Sequence, residues 1–99
     1  MTRVSGRREL IVTVDELLRL AAATVGGDRL DDYGDAQASH ERIAALWSAF
    51  LGVEIAPWQV DVLMILMKCS RLATSPDKTD TWVDIAGYAA LGGSNAGVV

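Results

Sequence analysis

Leu63-Met64-Ile65-Leu66-Met67-Lys68-Cys69-Ser70-Arg71 and Trp82-Val83-Asp84-Ile85-Ala86-Gly87-Tyr88 decide the reading of this chain. Both are apolar runs of helical character interrupted by charge, and a short polar loop separates them. The first carries cations and the second a carboxylate. A charge in such a run needs a partner or a wet cleft, because burying it alone is costly. Opposite signs on neighbouring segments therefore predict a polar constellation between two helices of one helical core.

The other elements follow outward from these two. Pro57 suits the first turn of the helix holding the first run. That helix should reach about Ala73, and it is apolar almost all round, which places it at the centre of a bundle or in an interface. Ser75-Pro76-Asp77-Lys78-Thr79 reads as a loop. Thr79 or Asp80 is expected to cap a last helix that stops near Gly92-Gly93. Upstream, Thr13 and Glu16 have the spacing of a capping box. Val14, Leu17, Leu18, Ala21 and Val25 then share one face until Gly26-Gly27. Asp35 is the expected N-cap of another helix, closed by Gly52, with His40, Ile43, Leu46, Trp47 and Phe50 in a stripe. Only Glu9 to Val14 has any strand character, and it is too short and isolated to build a sheet. The fold class is all-α, a small bundle of about four helices. Residues 1–12 form an arm, 13–93 the helical domain, and 94–99 a tail expected to fray.

Ninety-nine residues make one domain, and a chain this short can bury little surface by itself. With 51% hydrophobic residues, it is expected to form a homo-oligomer or to cover apolar surface with another protein. Nine basic against thirteen acidic residues give a net charge of −4, which argues against nucleic acid as the partner. Arg3, Arg7 and Arg8 read as a solvated terminal arm. Cys69 stands alone, so no internal disulfide can form, which fits a reducing compartment. No apolar run approaches the ~20 residues of a membrane span, and no signal peptide is visible. A soluble, cytoplasmic protein is expected.

Lys68 lies seven residues after Asp61, within about 20° of it around the helix, and Arg71 borders the same face. Asp80, Asp84 and Tyr88 follow at i, i+4 and i+8 on the last helix. One reading is an interhelical salt-bridge network that fixes register. The other is a ligand site, in which Lys68 and Arg71 neutralise a phosphate while Asp84 or Asp80 holds a divalent cation. Asp31-Asp32-Tyr33-Gly34-Asp35 could add ligating groups to such a site, or serve only as a turn and cap. His40, the single histidine, reads as a hydrogen-bonded core residue. No phosphate-cradling glycine loop, paired-cysteine metal pattern or nucleophile elbow occurs.

The chain resembles a family of short phage and prophage proteins, many from actinobacterial hosts, which carries no assigned activity. The resemblance spans roughly residues 28 to 91. It rests on Asp32-Tyr33-Gly34-Asp35, Arg42-Ile43-Ala44-Ala45-Leu46-Trp47-Ser48, Leu51-Gly52-Val53-Glu54-Ile55, Lys68, Arg71, Asp80 and the Trp82–Tyr88 run. More distantly the chain is similar to the all-α nucleotide pyrophosphohydrolases of the MazG-like type, whose Glu-x-x-Glu and Glu-x-x-Asp pairs hold Mg²⁺. That similarity implies Asp84 as a metal ligand, with Mg²⁺ as the cofactor. Two departures count against hydrolysis: Thr81 stands where the partner acid belongs, and the second helix has no Glu-x-x-Glu pair. Two functions are thus expected from the sequence. One is binding of a nucleotide or other phosphorylated small molecule through Lys68, Arg71, Asp84, Asp80, Tyr33 and Asp32, without turnover. The alternative is a helical interaction protein that engages a host protein or assembles with itself.

Overall fold

The computed structural model describes residues 11–26 and 36–99. The described chain is all-α: α1 (Val14–Gly26), α2 (Ala36–Leu51), α3 (Pro57–Leu72) and α4 (Thr79–Asn95), with no strand among the described residues. The arm before Ile11 and the 27–35 segment, with Asp31, Asp32, Tyr33 and the expected cap Asp35, lie outside the described residues.

Local chemistry sets the ends of the helices. Thr13 Oγ1 accepts from the Glu16 backbone N–H at 3.0 Å, and Glu16 Oε1 accepts from the Thr13 N–H at 3.1 Å. This is the reciprocal box expected at the start of α1. Gly52 closes α2 at a φ of 73°, donating to the Ser48 carbonyl at 2.9 Å. The Ser48 hydroxyl accepts from the Ile55 N–H at 2.8 Å and so fixes the connection into α3. At the start of α3, Gln59 Oε1 accepts from the Ala56 N–H at 2.8 Å, and Pro57 occupies the first turn as expected. The boundary residue of α4 is Lys78, one position ahead of Thr79 and two ahead of Asp80, the expected caps. This helix also runs past Gly92-Gly93 to Asn95. It ends in a Schellman motif: Gly97, at a φ of 80°, donates to Ser94 at 3.1 Å, and Val98 donates to Gly93 at 2.9 Å. Two helical glycines do not stop a helix when a third, two residues beyond its end, can take the left-handed conformation.

The hub is α4. It packs most extensively on α3, also carries α1, and touches α2, while α2 leans on α3. Small residues on α4 permit these approaches. A Cβ on Gly92 would stand 3.1 Å from Asp61 Cβ, and one on Gly87 would stand 3.2 Å from Val25 Cγ1. The fully packed apolar residues among those described are small: Ala21, Ala44, Val60 and Val83. Several residues expected inside lie outside instead. On α2, Leu46 and Phe50 are 69% and 88% exposed, and on α1, Val14 and Leu18 are exposed. The period of a stripe identifies a face but does not say how far the neighbouring helix reaches along it.

Two outcomes follow. Gly92→Ala is expected to lower stability by about 1–2 kcal/mol through overpacking against the Asp61 stem. Gly87→Ala should be nearly neutral, because a Val25 methyl can yield and alanine favours the helix; urea denaturation of both variants checks this. The Glu16 carboxyl is held below its ordinary value near 4.5, chiefly by the Thr13 backbone N–H and then by the Thr13 side chain. A lowered carboxyl stabilises the fold above its ordinary titration range, and that contribution disappears as pH falls through the lowered value. Amide exchange in the first turn of α1 should therefore accelerate on acidification below about pH 4.5 relative to the α3 amides, and Glu16→Gln should remove this pH dependence.

Candidate functional site

Charge and apolarity are inverted on α3. At 100° per residue, Val60, Asp61, Met64 and Lys68 turn inward toward α2 and α4. Trp58, Val62 and Leu66 recur at i, i+4 and i+8 on the opposite side, with Leu63 beside Leu66. Asp61 is 0% exposed, whereas these four outward residues are 40–58% exposed. The helix was expected to be central or to lie in an interface. It packs on both α4 and α2, and several of its larger apolar side chains are exposed.

Two polar sets occupy the inward side. In the first, Lys68 Nζ lies 2.7 Å from Asp84 Oδ2, joining α3 to α4 in the expected interhelical pair. Both side chains are substantially covered, at 15% and 29% exposure. The second set was not anticipated. Asp61 Oδ1 lies 2.9 Å from His40 Nδ1 on α2, and Asp61 Oδ2 accepts from Asn95 Nδ2 on α4 at 2.8 Å. The same Asn95 nitrogen is 3.3 Å from His40 Nδ1. Oδ1 approaches the ring nitrogen closely without a well-aligned hydrogen bond. His40 is buried and hydrogen-bonding, as expected, and its ring stacks on Tyr88 with centroids 6.3 Å apart.

Among the described residues, Lys68, Arg71, Asp80 and Asp84 do not gather into one open set, while Asp32 and Tyr33 lie outside the described residues. Lys68 and Asp84 meet each other. Arg71 and Asp80 are exposed and make no ion pair among the described residues. Asp61 belongs to the His40–Asn95 set and is separate from the Lys68 pair. Tyr88 and Asp84 border a groove between α1 and α4 with Thr24, Val25, Gly87 and Leu91. Its free space is about 10 Å³, enough for about one water, whereas ligand pockets run to roughly 300 Å³ or more. No three His, Cys, Asp or Glu side chains gather to hold a metal among the described residues. Asp84, already held by Lys68, and the exposed Asp80 do not by themselves furnish a Mg²⁺ shell, which needs further oxygen ligands.

What these observations define is a small all-α module with an ionic interior and an apolar outer face. The chain belongs to a family whose model, described as a domain of unknown function (DUF6378), matches residues 16–96. It is 49% identical over 76 residues to the gene 55 protein of Mycobacterium phage L5, covering 76% of this chain and 49% of that protein. It is 36% identical over 75 residues to the gene 55 protein of Mycobacterium phage D29, covering 76% of this chain and 50% of that protein. The chain thus spans about half the length of these relatives. No solved structure matches it. No helix among the described residues is long and apolar enough to cross a membrane.

The two polar sets should differ in their energetic weight. Asp61→Ala leaves a buried imidazole and amide without their acceptor and should cost about 3 kcal/mol or more. Asp84→Ala opens a partly solvated pair and should cost about 1 kcal/mol. Chemical denaturation of both variants measures the difference, and equal losses would contradict this ranking.

Proposed function

We propose that this chain is a helical interaction module that works by docking the outward face of α3 on another protein surface. The observation that carries this reading is the inversion of α3, with Asp61 and Lys68 inside and Trp58, Val62 and Leu66 outside. A soluble domain rarely leaves such a face bare unless something covers it. Trp58, Val62, Leu63 and Leu66 are 40–58% exposed, and Leu46, Phe50, Leu51 and Val53 are 57–88% exposed, so large apolar side chains are left open on α2, on α3 and on their connection.

Binding of a nucleotide or other phosphorylated molecule has less support. Lys68 already faces Asp84 at 2.7 Å, and the groove beside Asp84 is of water size. Anion binding there would have to break an interhelical pair and open the space between α1 and α4.

Cys69 is exposed and lies seven residues after Val62, on the same face of α3. A maleimide-linked benzophenone at Cys69 should, on irradiation, give covalent adducts to protein, either a second copy or a different chain. Leu66→Lys should abolish them. In parallel, nucleotides with and without Mg²⁺ should leave the melting temperature unchanged, since a ligand that binds only the folded form must raise it. Absence of any protein adduct would overturn the interaction reading, and a nucleotide-dependent rise in melting temperature would favour the ligand reading instead.

A further inference from the structure

We infer that His40, Asp61 and Asn95 form a site for one divalent transition-metal ion that clamps α2, α3 and α4 together, whatever covers the outer side of α3. Asp61 Oδ1 is fully buried and has no hydrogen-bond partner among the described residues. An orphaned oxygen in a protein interior calls for a water or an ion to complete it. His40 Nδ1 stands 2.9 Å away, yet no well-aligned hydrogen bond joins the two atoms. The proton or lone pair of a ring nitrogen lies in the ring plane, so the Nδ1 axis passes beside this oxygen instead of ending on it. Two ligands of one ion stand in that relation: they are close neighbours, but each points at the metal.

The separations agree with shared coordination. An ion held at about 2.1 Å by nitrogen and oxygen spaces its ligand atoms about 3.0 Å apart at right angles and about 3.4 Å apart at the tetrahedral angle. Nδ1 and Oδ1 are 2.9 Å apart, and the Asn95 amide nitrogen lies 3.3 Å from Nδ1 and 2.8 Å from Asp61 Oδ2. Half a turn of that amide brings its oxygen to the same place, since the two amide atoms are nearly equal in size. No third His, Cys, Asp or Glu stands with this pair among the described residues, so the amide is the third protein ligand. Imidazole nitrogen with oxygen donors suits Zn²⁺ or Mn²⁺ better than Mg²⁺ or Ca²⁺, which take oxygen alone. The charge is also right: Lys68, the covered cation of α3, is engaged by Asp84, which leaves the Asp61 carboxylate without a lysine or arginine. Tyr88 stacks on the His40 ring and limits its rotation. A small domain whose packed apolar residues are two alanines and two valines gains most from such a staple.

The test starts from the full 99-residue chain, unfolded with a chelator and refolded with Zn²⁺, Mn²⁺ or Mg²⁺, because a sealed site loads as it forms. Elemental analysis after gel filtration should find one Zn²⁺ or Mn²⁺ per chain. The melting temperature should rise by roughly 10 °C or more once that ion exceeds its dissociation constant about a hundredfold, and Mg²⁺ should leave it unchanged. His40→Gln should lose both the bound metal and the shift. Cys69→Ser should keep both, which separates the site from the exposed thiol. Asn95→Asp sets a second carboxylate against Asp61, so it should lower the melting temperature without metal and enlarge the rise with it. A melting temperature of the wild-type chain that neither Zn²⁺ nor Mn²⁺ moves would overturn the site. Stoichiometric metal that survives His40→Gln would place the ion elsewhere, and an Asn95→Asp chain that no metal rescues would reduce the three residues to a hydrogen-bonded set.

Discussion

The burial of the Asp61 carboxylate organises this molecule. A carboxyl group with 0% exposure needs polar partners from its surroundings, and these come from two other helices: Asn95 donates to Oδ2, and the His40 ring nitrogen approaches Oδ1 at 2.9 Å. His40 ties α2 to α3, and Asn95 ties the far end of α4 to α3. The absence of a side chain at Gly92 lets the α4 backbone approach the Asp61 stem closely enough for Asn95, one turn on, to reach the carboxylate. The rotation of α3 about its own axis is thereby set. With Asp61 inward, Lys68 follows two turns later and finds Asp84, and the apolar side is left facing out.

This arrangement reverses the usual division between core and surface. The buried apolar groups are Ala21, Ala44, Val60 and Val83, which fill little volume, while tryptophan, leucine and methionine stand on the outside of α3. A core of small residues and paired polar groups specifies geometry well and contributes modestly to stability. Much of the hydrophobic driving force in this sequence therefore remains unused within one described unit. It becomes available when the outer face of α3 is covered.

Much of the fold was legible because its signals are local. The Thr13–Glu16 box, the closing Gly52 and the early Pro57 each act within a few residues, and the structure places them as read. The Lys68–Asp84 pair was legible for a different reason: each charge interrupts an apolar run, and the runs are neighbours in sequence. The Asp61 set was not legible, because its members come from three helices. Asn95 also lay beyond a Gly-Gly pair that reads as a helix end, although the left-handed Gly97 allows α4 to continue past it. Placing Asp61 with Lys68 followed from their seven-residue spacing. That spacing identifies a shared face but not which neighbour each residue meets when two helices border it. The exposure of Phe50 likewise depends on where α3 and α4 stop beside α2, and no local pattern encodes that.

The attachment of α1 has a consequence for cooperativity. It rests mainly on α4, through a seam that includes Val25 over Gly87, and its ion pair among the described residues, Arg19 with Asp15, is internal to the helix. The remaining helices are cross-linked by polar sets that α1 does not share. Its release therefore breaks fewer interactions than unfolding the other three, which is the condition for a helix to open sub-globally while its neighbours stay docked. In that opened state the groove beside Asp84 and Tyr88 loses one wall and admits solvent, whereas the Asp61 carboxylate remains sealed. The two polar sets, similar on paper, thus belong to different levels of the stability hierarchy of one small chain.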